Sequence, residues 1–383
     1  LALIAGMSVL TACSSDDNND NGGNGNNGNG NEIENGTILK GTITSDVTLA
    51  AGNTYKLSGE YIVEEGATLH IEEGVKIIAV YDDIADYILV KQGGKINAVG
   101  TPDKPIVMTS EKEEPGAWGG IHICGRAHTN AEGGKGSSEI GGAVYGGNDD
   151  ADNSGTLQYI RLEYTGFAFD EEHEANGISF YGVGNGTIVD HCQAYKGSDD
   201  GFEFFGGSVN VSNLVAVSCS DDSFDWTEGW NGKGTNLVAY QEAESTLGYD
   251  CDCLMECDNN GSNNAATPVA HPVLKNLILV GNGGSKQGIR LRAGTEVEID
   301  NAKVCGKGQP LTVETALTEN ALKNGTSKLT NITLTSELSC KEGIYTHADF
   351  IAVTSNKVDA NLSYSSFEDI KKECSWMNGN WVK

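Results

Sequence analysis

Six short stretches of the chain repeat one four-residue pattern, and this repeat restricts the fold more than any other feature. The stretches are "GIHI" at 120–123, "GISF" at 177–180, "GFEF" at 201–204, "SFDW" at 223–226, "LMEC" at 254–257 and "GIRL" at 288–291. Their second and fourth positions are all apolar, whereas the third positions are polar: His122, Ser179, Glu203, Asp225, Glu256 and Arg290. Alternation with a period of two places the apolar residues on one face of a strand and the polar residues on the other. The pattern predicts two buried columns, one of Phe202, Phe224 and Met255 and one of Phe204, Trp226 and Cys257.

A second repeat consists of asparagines that each precede an apolar run. They are Asn213, Asn236, Asn276, Asn301 and Asn331. Asparagines stacked at one turn can hydrogen-bond along the stack through their side-chain amides. Coils of roughly 22–34 residues with several short strands each describe a parallel β-helix, whose coils lie about 4.8 Å apart. We therefore predict an all-β fold, with the coil over residues 34–344 and residues 345–383 as a short C-terminal cap over its open end.

The N-terminal residues indicate export. Residues 1–12, "LALIAGMSVLTA", are typical of the apolar core of a signal peptide, and they are too few for a membrane-spanning helix, which takes about 20 residues. "LTAC" resembles the lipobox of bacterial lipoproteins, and "SSDDNND" is similar to the acidic stretch that follows the lipidated cysteine in surface-exposed Bacteroidetes lipoproteins. This resemblance implies a lipid on Cys13 and a place on the outer surface of the outer membrane; an ordinary secretory signal is the alternative. Residues 13–33 would then be the lipidated cysteine and a flexible Asn/Asp/Gly tether.

The charge balance argues against one class of partner. The chain has 25 Lys and Arg residues and 54 Asp and Glu residues, which gives a net charge of −29. A surface this acidic repels phosphate backbones, so nucleic acid is not an expected partner. Cations, and ligands held through cations, are the expected partners, and we expect the chain to act as a monomer.

Carboxylates are concentrated around three consecutive strands of the repeat. They are Asp199, Asp200, Glu203, Asp221, Asp222, Asp225 and Glu256. Like charges this close raise one another's pKa, and a divalent cation between them relieves the repulsion. Clustered carboxylate oxygens suit calcium, which takes about 6–8 oxygen ligands. We therefore expect these residues to bind calcium; the alternative is turn chemistry alone, because Asp is favoured in tight turns.

Four further residues are candidate ligand contacts. Arg290 and Arg292 are expected to point outward, where a guanidinium fork can hold an anionic sugar or another carboxylate, or can instead pair with Glu256. Trp230 falls in a predicted turn, where it can stack on a sugar or pack within the loop. His122 begins the polar column and is either a ligand contact or an ordinary surface residue.

Two long Gly- and Asn-rich excursions interrupt the coils, at residues 126–156 and 258–272. Long loops on a rigid scaffold frequently carry binding determinants. We therefore expect the two excursions to carry binding determinants.

Nine cysteines follow Cys13, and an exported protein permits disulfides. Cys340 and Cys374 both lie near the C-terminus, and we predict that they pair. The odd count leaves at least one thiol unpaired in a monomer.

Five segments carry a family resemblance. They are "PGAWGGIHICGRA", "YGGNDDADNSGTLQYIRLEYTG", "NGISFYGVGNGTIVDH", "SDDGFEFFGG" and "SDDSFDWTEGW". Together they closely resemble a large group of bacterial right-handed β-helix lipoproteins, tightly over residues 100–260 and in outline over most of 38–340. The resemblance implies a right-handed parallel β-helix of the pectate-lyase-like kind on the cell surface, and it implies no particular activity.

The spacing of the acids resembles a second group. Asp221, Asp222 and Asp225 match the D-D-x-x-D calcium motif of family 9 polysaccharide lyases, which are also right-handed β-helices, and Asp199 matches the acid of the preceding coil. This resemblance implies calcium-dependent cleavage of an anionic glycan. The chain departs from the motif at the catalytic base, because the stretch "NNGSNNAATPVAH", where those enzymes have a lysine, contains none.

We expect a non-catalytic, surface-anchored lipoprotein that presents an acidic, cation-loaded groove to an extracellular glycan or a small anionic ligand. A calcium-dependent polysaccharide lyase or other glycan-cleaving enzyme is the first alternative, and a structural adhesin or stalk is the second. A base within hydrogen-bond reach of the substrate is what a lyase needs, so a basic residue that reaches these acids from a loop would favour the enzyme. The pattern identifies no catalytic residue.

Overall fold

The computed structural model describes residues 31–82, 84–170 and 173–383. Cys13, the predicted signal peptide and most of the predicted tether lie outside these residues. The strands are β1 (Asn31–Ile33), β2 (Ile38–Ile43), β3 (Val47–Leu49), β4 (Thr54–Val63), β5 (Thr68–Ile71), β6 (Lys76–Ala79), β7 (Tyr87–Val90), β8 (Lys95–Val99), β9 (Ile106–Ser110), β10 (Ile121–Cys124), β11 (Gly136–Ser137), β12 (Val144–Tyr145), β13 (Gly155–Glu163), β14 (Ile178–Tyr181), β15 (Ile188–Tyr195), β16 (Phe202–Phe205), β17 (Asn210–Val217), β18 (Phe224–Thr227), β19 (Lys233–Tyr240), β20 (Met255–Asp258), β21 (Val273–Val280), β22 (Gln287–Arg292), β23 (Glu298–Cys305), β24 (Gln309–Val313), β25 (Lys328–Leu334), β26 (Ser339–Cys340) and β27 (Lys357–Val358).

Helices are short and lie between strands or near the C-terminus. They are α1 (Glu244–Leu247), α2 (Ala316–Asn324), α3 (His347–Ala352) and α4 (Phe367–Glu373), with 3₁₀ turns at Glu132–Gly134 and Ser375–Met377. Within the part of the chain that the structure describes, none of these helices has the length and apolar character needed to cross a bilayer.

The strands stack into three parallel sheets around one interior. The first sheet contains β7, β10, β14, β16, β18, β20, β22 and β24, paired in that order. The long strands β13, β15, β17, β19, β21, β23 and β25 each bend once, so that their two halves belong to the two other sheets. This is the all-β parallel β-helix predicted from the repeats. It is consistent with a right-handed coil, the usual hand of connections between parallel strands.

The predicted register of the interior is confirmed. Glu203 pairs with Asp225, and Asp225 pairs with Glu256 in the next coil. The two apolar columns lie inside, where none of their six residues is more than 2% exposed: Phe202, Phe224, Met255, Phe204, Trp226 and Cys257. The rings of Phe202 and Phe224 stack with their centroids 5.6 Å apart. Stacking between coils therefore aligns the aromatic residues that the repeat places at equivalent positions.

The asparagine ladder forms the bend of the long strands. Asn236 donates from Nδ2 to Asn213 Oδ1 at 2.8 Å, Asn276 to Asn236 at 3.0 Å, and Asn301 to Asn276 at 2.8 Å. These four residues have φ between 56° and 64°, a left-handed conformation that asparagine tolerates better than most residues. The predicted ladder is confirmed for these four; Asn331 donates instead to Asp300 Oδ1 at 2.6 Å.

The C-terminal segment does more than cover the end of the coil, which is the role we expected for residues 345–383. Phe350 of α3 is buried in the interior core at the end of the coil. Residues 362–383 then run back along the outside of the solenoid, and Lys383 N donates to Gln193 Oε1 at 2.8 Å. There they bury an outward apolar stripe of the long strands, formed by Val215, Val217, Val238, Ile278 and Val280. The segment lies there because these outward side chains are apolar, and covering them removes apolar surface from water.

The predicted pairing of Cys340 with Cys374 is wrong in this structure. All nine cysteines of the described residues are free thiols. Cys340 packs against the interior core, whereas Cys374 belongs to the outer cluster beneath the C-terminal segment. The two thiols therefore lie on opposite sides of a sheet, although both are near the C-terminus.

Candidate functional site

An acidic cleft opens on the outer face of the first sheet and has a volume of about 350 Å³. Its lining residues are Glu139, Glu174, Asp199, Asp200, Glu203, Asp221, Asp222, Asp225, Asp252, Glu256 and Arg290. All seven predicted metal ligands are among them. The cleft is therefore the place where the repeated acidic pattern of successive coils converges.

Two of the acids form part of the turns that precede the strands. Asp200 accepts the backbone N–H of Asp222 through Oδ1 at 2.8 Å, and Asp222 accepts the N–H of Cys253 through Oδ1 at 2.7 Å. Asp200 and Asp222 are each 5% exposed. One oxygen of each carboxylate thus holds the turn of the next coil. Asp200 and Asp222 therefore have a role in these turns, while the alternative of turn chemistry alone, without calcium, stays a prediction.

Several sets of ligand atoms are close enough to share a cation. The groups are Asp199 with Asp200 and Asp221, Asp200 with Glu203 and Asp225, Asp222 with Asp225 and Glu256, and Asp222 with Asp252 and Cys253. Within each group, the ligand atoms all lie within 4.8 Å of one another. Each group spans two neighbouring coils, so a cation bound by any of them would bridge the coils. Calcium is the divalent cation that best fits several flexible carboxylates, because it takes oxygen ligands in variable geometry.

One oxygen in the cleft has no partner among the described residues. Asp225 Oδ1 is inaccessible to solvent and accepts no hydrogen bond. Its neighbour Glu203 accepts a hydrogen bond from Asn176 Nδ2 at 2.6 Å. A buried carboxylate oxygen without a donor is costly, and a cation would satisfy it.

The crowding of the acids changes their protonation. Burial, followed by repulsion from Asp221 and Glu174, raises the pKa of Asp199 to about 7. Burial and the neighbouring carboxylates also raise the pKa of Asp200 and Asp222 well above the usual range of aspartate. Without a cation, the carboxyl group of Asp199 is therefore partly protonated near pH 7.

The two arginines bind acids of their own chain. Arg290 Nη1 lies 2.8 Å from Glu256 Oε2, and its Nε lies 3.2 Å from Glu314 Oε1. Arg292 pairs with Glu256, and its Nε lies 2.7 Å from Asp258 Oδ1. The alternative that we weighed for them, pairing with Glu256, is therefore what the structure contains. Arg290 still lines the cleft, and the arginines neutralise its far end.

The other two candidate ligand contacts are buried. Trp230 is 1% exposed and stacks on Phe204 with ring centroids 4.1 Å apart, so it has no free face for a sugar. Its indole Nε1 donates to Val209 O at 3.1 Å, which holds the turn inward. His122 is fully buried, and burial lowers its pKa to about 4. A ligand contact is therefore wrong for both residues. Trp230 packs within the protein, which was its alternative, whereas His122 is not the surface residue that its own alternative predicted.

The first excursion explains the burial of His122. Residues 126–156 contribute Ile140 and Tyr145 to a side cluster on the outer face of the first sheet, and this cluster includes Tyr181. His122 lies beside Tyr181, with ring centroids 6.3 Å apart. The excursion thus covers the polar column at its N-terminal end and leaves the acidic coils open.

The two excursions differ in their relation to the cleft. The first one places Glu139 in the cleft wall. Residues 258–272 contribute no residue to the wall. They contact the first excursion instead, where Asn130 donates from Nδ2 to Asn259 Oδ1 at 2.8 Å. The second excursion therefore supports the first rather than the cleft.

Three acids of the cleft were not among the predicted ligands: Glu139, Glu174 and Asp252. Asp252 occupies the same turn position as Asp199 and Asp221, three residues before a strand, so the repeat already indicated it. Glu139 and Glu174 come from loops outside the repeat. No local pattern in the sequence indicates where those loops lie.

Comparisons with known proteins agree with the architecture. A family model described as pectate-lyase like beta helix domain matches residues 41–383. No curated protein and no solved structure matches the chain significantly. Because the family model covers nearly all of the described residues, the chain belongs to the pectate-lyase-like β-helix domain family.

Proposed function

We propose that this chain is a non-catalytic binding protein whose acidic cleft holds calcium and, through it, an anionic group of an extracellular glycan. The observation that carries the proposal is the buried, unpartnered Oδ1 of Asp225 among carboxylates of two neighbouring coils. Calcium would be held by Asp200, Glu203 and Asp225, with Asp199, Asp221, Asp222 and Glu256 around it. Bound calcium would offer its remaining coordination positions to ligand oxygens.

The charge of the cleft supports a cation-mediated ligand. Ten of the eleven lining residues are acids, and the remaining one is Arg290. A uronate or another carboxylate would be repelled by this surface unless cations had first neutralised it. The same carboxylates also argue against a purely structural stalk. Their mutual repulsion lowers the stability of the fold, and a stalk that binds no cation would gain nothing in return.

A binding role is supported over the lyase alternative by the state of the basic side chains. A lyase needs a base within hydrogen-bond reach of the substrate proton. Among the described residues that line the cleft, only Arg290 is basic, and it is paired with Glu256 and Glu314. Guanidinium is also a poor base, since it scarcely deprotonates. Lys286 comes from the loop before β22 and does reach the cleft, where it pairs with Asp252. A basic residue in this position is the feature that would favour the lyase, but the hydrogen bond with Asp252 raises the pKa of Lys286, which keeps its amine protonated and makes it a poorer base.

Display on the outer membrane is part of the proposal, and it rests on the lipobox-like "LTAC" and the acidic residues after it. The first described strand begins at Asn31, so residues 14–30 would separate the lipid on Cys13 from the coil. A tether of this composition would keep the cleft accessible to glycans outside the cell.

Titration calorimetry with calcium tests the cation site directly. Wild-type protein should bind calcium, Asp225→Asn should bind it at least tenfold more weakly, and Glu337→Gln should bind it like wild type because Glu337 is an exposed acid outside the cleft. Unchanged calcium binding in Asp225→Asn, or no calcium binding in the wild type, would refute the cation site.

A second titration tests the glycan. Oligogalacturonate should bind in calcium and not in EDTA. Unsaturated products in that mixture, detected by their ultraviolet absorbance, would instead identify the chain as a lyase.

A further inference from the structure

A second groove lies on another side of the solenoid, between the asparagine ladder and the returning C-terminal segment. It has a volume of about 180 Å³, and it is lined mainly by Asn236, Asn276, Asn301, Lys303, Glu373 and Trp376. It shares no lining residue with the acidic cleft. Leu277 and Ile278 complete its floor, and both are buried.

The amides of the ladder keep part of their hydrogen-bonding capacity. A primary amide offers two N–H donors and an oxygen that accepts twice. Asn276 donates once to Asn236 and accepts once from Asn301, so one donor and one acceptor remain. Asn276 and Asn301 are exposed. The groove therefore presents paired donors and acceptors that repeat at the coil spacing of about 4.8 Å.

Trp376 gives the groove an aromatic wall. It belongs to the 3₁₀ turn Ser375–Met377, and its side chain is half-buried. The turn is fixed in place because Met377, its last residue, and Trp381, four residues further on, are fully buried in the outer cluster. An indole fixed in this way can pack against the C–H face of a sugar ring while neighbouring amides reach its hydroxyl groups.

The charge in the groove indicates a neutral ligand. Among the described residues that line the groove, only Lys303 and Glu373 are charged, and they form an ion pair with each other. Tyr364 donates from its hydroxyl to Glu373 Oε2 at 2.8 Å, which further fixes the acid. A ligand with a net charge would therefore find no free countercharge here.

We propose that this groove binds an uncharged, hydroxyl-rich glycan chain, independently of the acidic cleft. The three amides engage hydroxyl groups of successive sugars, because the ladder presents them at a regular interval along the solenoid axis. Trp376 stacks on one sugar ring. The site needs no cation.

Calorimetric titration with a panel of neutral β-linked hexasaccharides, carried out in EDTA so that the acidic cleft is empty of calcium, tests this site. At least one member of the panel should bind the wild type. Trp376→Ala should weaken that binding at least tenfold. Asn301→Gly should weaken it similarly, because it removes an amide from the groove and glycine adopts the φ of 64° without strain.

Asn213→Gly is the matched control, since Asn213 has a φ of 56° in the same ladder but lies outside the groove. It should leave binding unchanged, as should Glu337→Gln, at an exposed residue outside both sites. Absence of binding to the whole panel would overturn the proposal. Binding that survives both Trp376→Ala and Asn301→Gly would also overturn it, and so would an equal loss in Asn213→Gly.

Thermal melts of each variant identify any loss of binding that comes from unfolding, and Trp376→Phe should retain binding if stacking is the cause.

Discussion

Glu203 and Asp225 occupy the same position in neighbouring coils, and only the first has a hydrogen-bond donor. Asn176 Nδ2 lies 2.6 Å from Glu203 Oε2, whereas Asp225 Oδ1 is buried and has no partner among the described residues. Glu256, the next acid of the column, is paired with Arg290, so Asp225 lies between two acids that each have a donor. A bound cation would supply the missing interaction at Asp225, and the consequences of that arrangement can be measured.

The variant Asp225→Asn should separate charge from shape. Without calcium, it should raise the free energy of unfolding by about 1 kcal/mol, because burial and the neighbouring carboxylates raise the pKa of Asp225 and so disfavour its ionised form in the folded protein. At a calcium concentration a hundredfold above the wild-type Kd, the wild type should gain about 2.7 kcal/mol, whereas this variant, which should bind at least tenfold more weakly, should gain no more than about 1.4 kcal/mol. Urea unfolding with calcium and with EDTA measures both effects. An equal calcium-dependent gain in the variant would place the cation elsewhere.

Two substitutions of Asp222 should separate its turn role from its charge. Asp222→Ala leaves the buried N–H of Cys253 without an acceptor, which should cost about 1–3 kcal/mol even in EDTA. Asp222→Asn keeps a side-chain oxygen for that N–H, so it should retain most of the stability in EDTA. If both variants unfold at the same urea concentration, the hydrogen bond contributes little to the fold.

The protein without calcium should become less stable as the pH rises. The pKa of Asp199 is raised from 3.8 to about 7 in the folded state, so between these values the folded chain binds more protons than the unfolded chain. Stability that is present below pH 3.8 is therefore lost as the pH rises through about 7. Thermal melts in EDTA should give a higher Tm at pH 5 than at pH 8.

Calcium should reduce or reverse this dependence, because it binds the deprotonated carboxylates and its binding releases protons. A Tm in EDTA that is constant or rising over this range would show that the acids are not buried together as described.

Replacement of Phe204 by alanine tests the aromatic interior. Phe204 is 2% exposed and lies between Phe180 and Trp230, with ring centroids 5.1 Å and 4.1 Å away. Deletion of a packed aromatic side chain should cost about 3–5 kcal/mol. The control is Ile188→Ala, at a residue that is 53% exposed, which should change stability by less than about 0.5 kcal/mol. Similar unfolding midpoints for the two variants would contradict the register.

Substitution of Cys13 tests the anchor. Cys13→Ala should release the protein from the outer membrane, because it removes the attachment point for the proposed lipid. Cell fractionation measures this, and protease treatment of intact cells should digest the wild-type protein. Protection of the wild type until the cells are lysed would show that it faces the inside of the outer membrane.

The interior and the polar column with its acidic residues could be predicted from the sequence because they depend on periodicity. In a stacked parallel coil, alternation with a period of two determines which side chains point inward. Because all coils have the same register, equivalent residues point the same way in each coil. Phe204 and Glu203 therefore lie on opposite faces, as their spacing predicts. Asn213 and its successors could be predicted for the same reason, since one turn conformation recurs in every coil.

Which outward residues stay accessible was decided only by the tertiary structure. His122 and Glu203 share one polar column, yet the excursion 126–156 covers the first and leaves the second at an open cleft. The excursion is held by contacts between distant residues, such as His128 Nε2 with Gly229 O at 2.9 Å. The inward position of Trp230 and the position of the C-terminal segment along the outside of the solenoid likewise depend on contacts between residues that are distant in sequence. Such contacts depend on which apolar surfaces meet in the folded protein. A local sequence pattern does not indicate which surface a distant segment will cover.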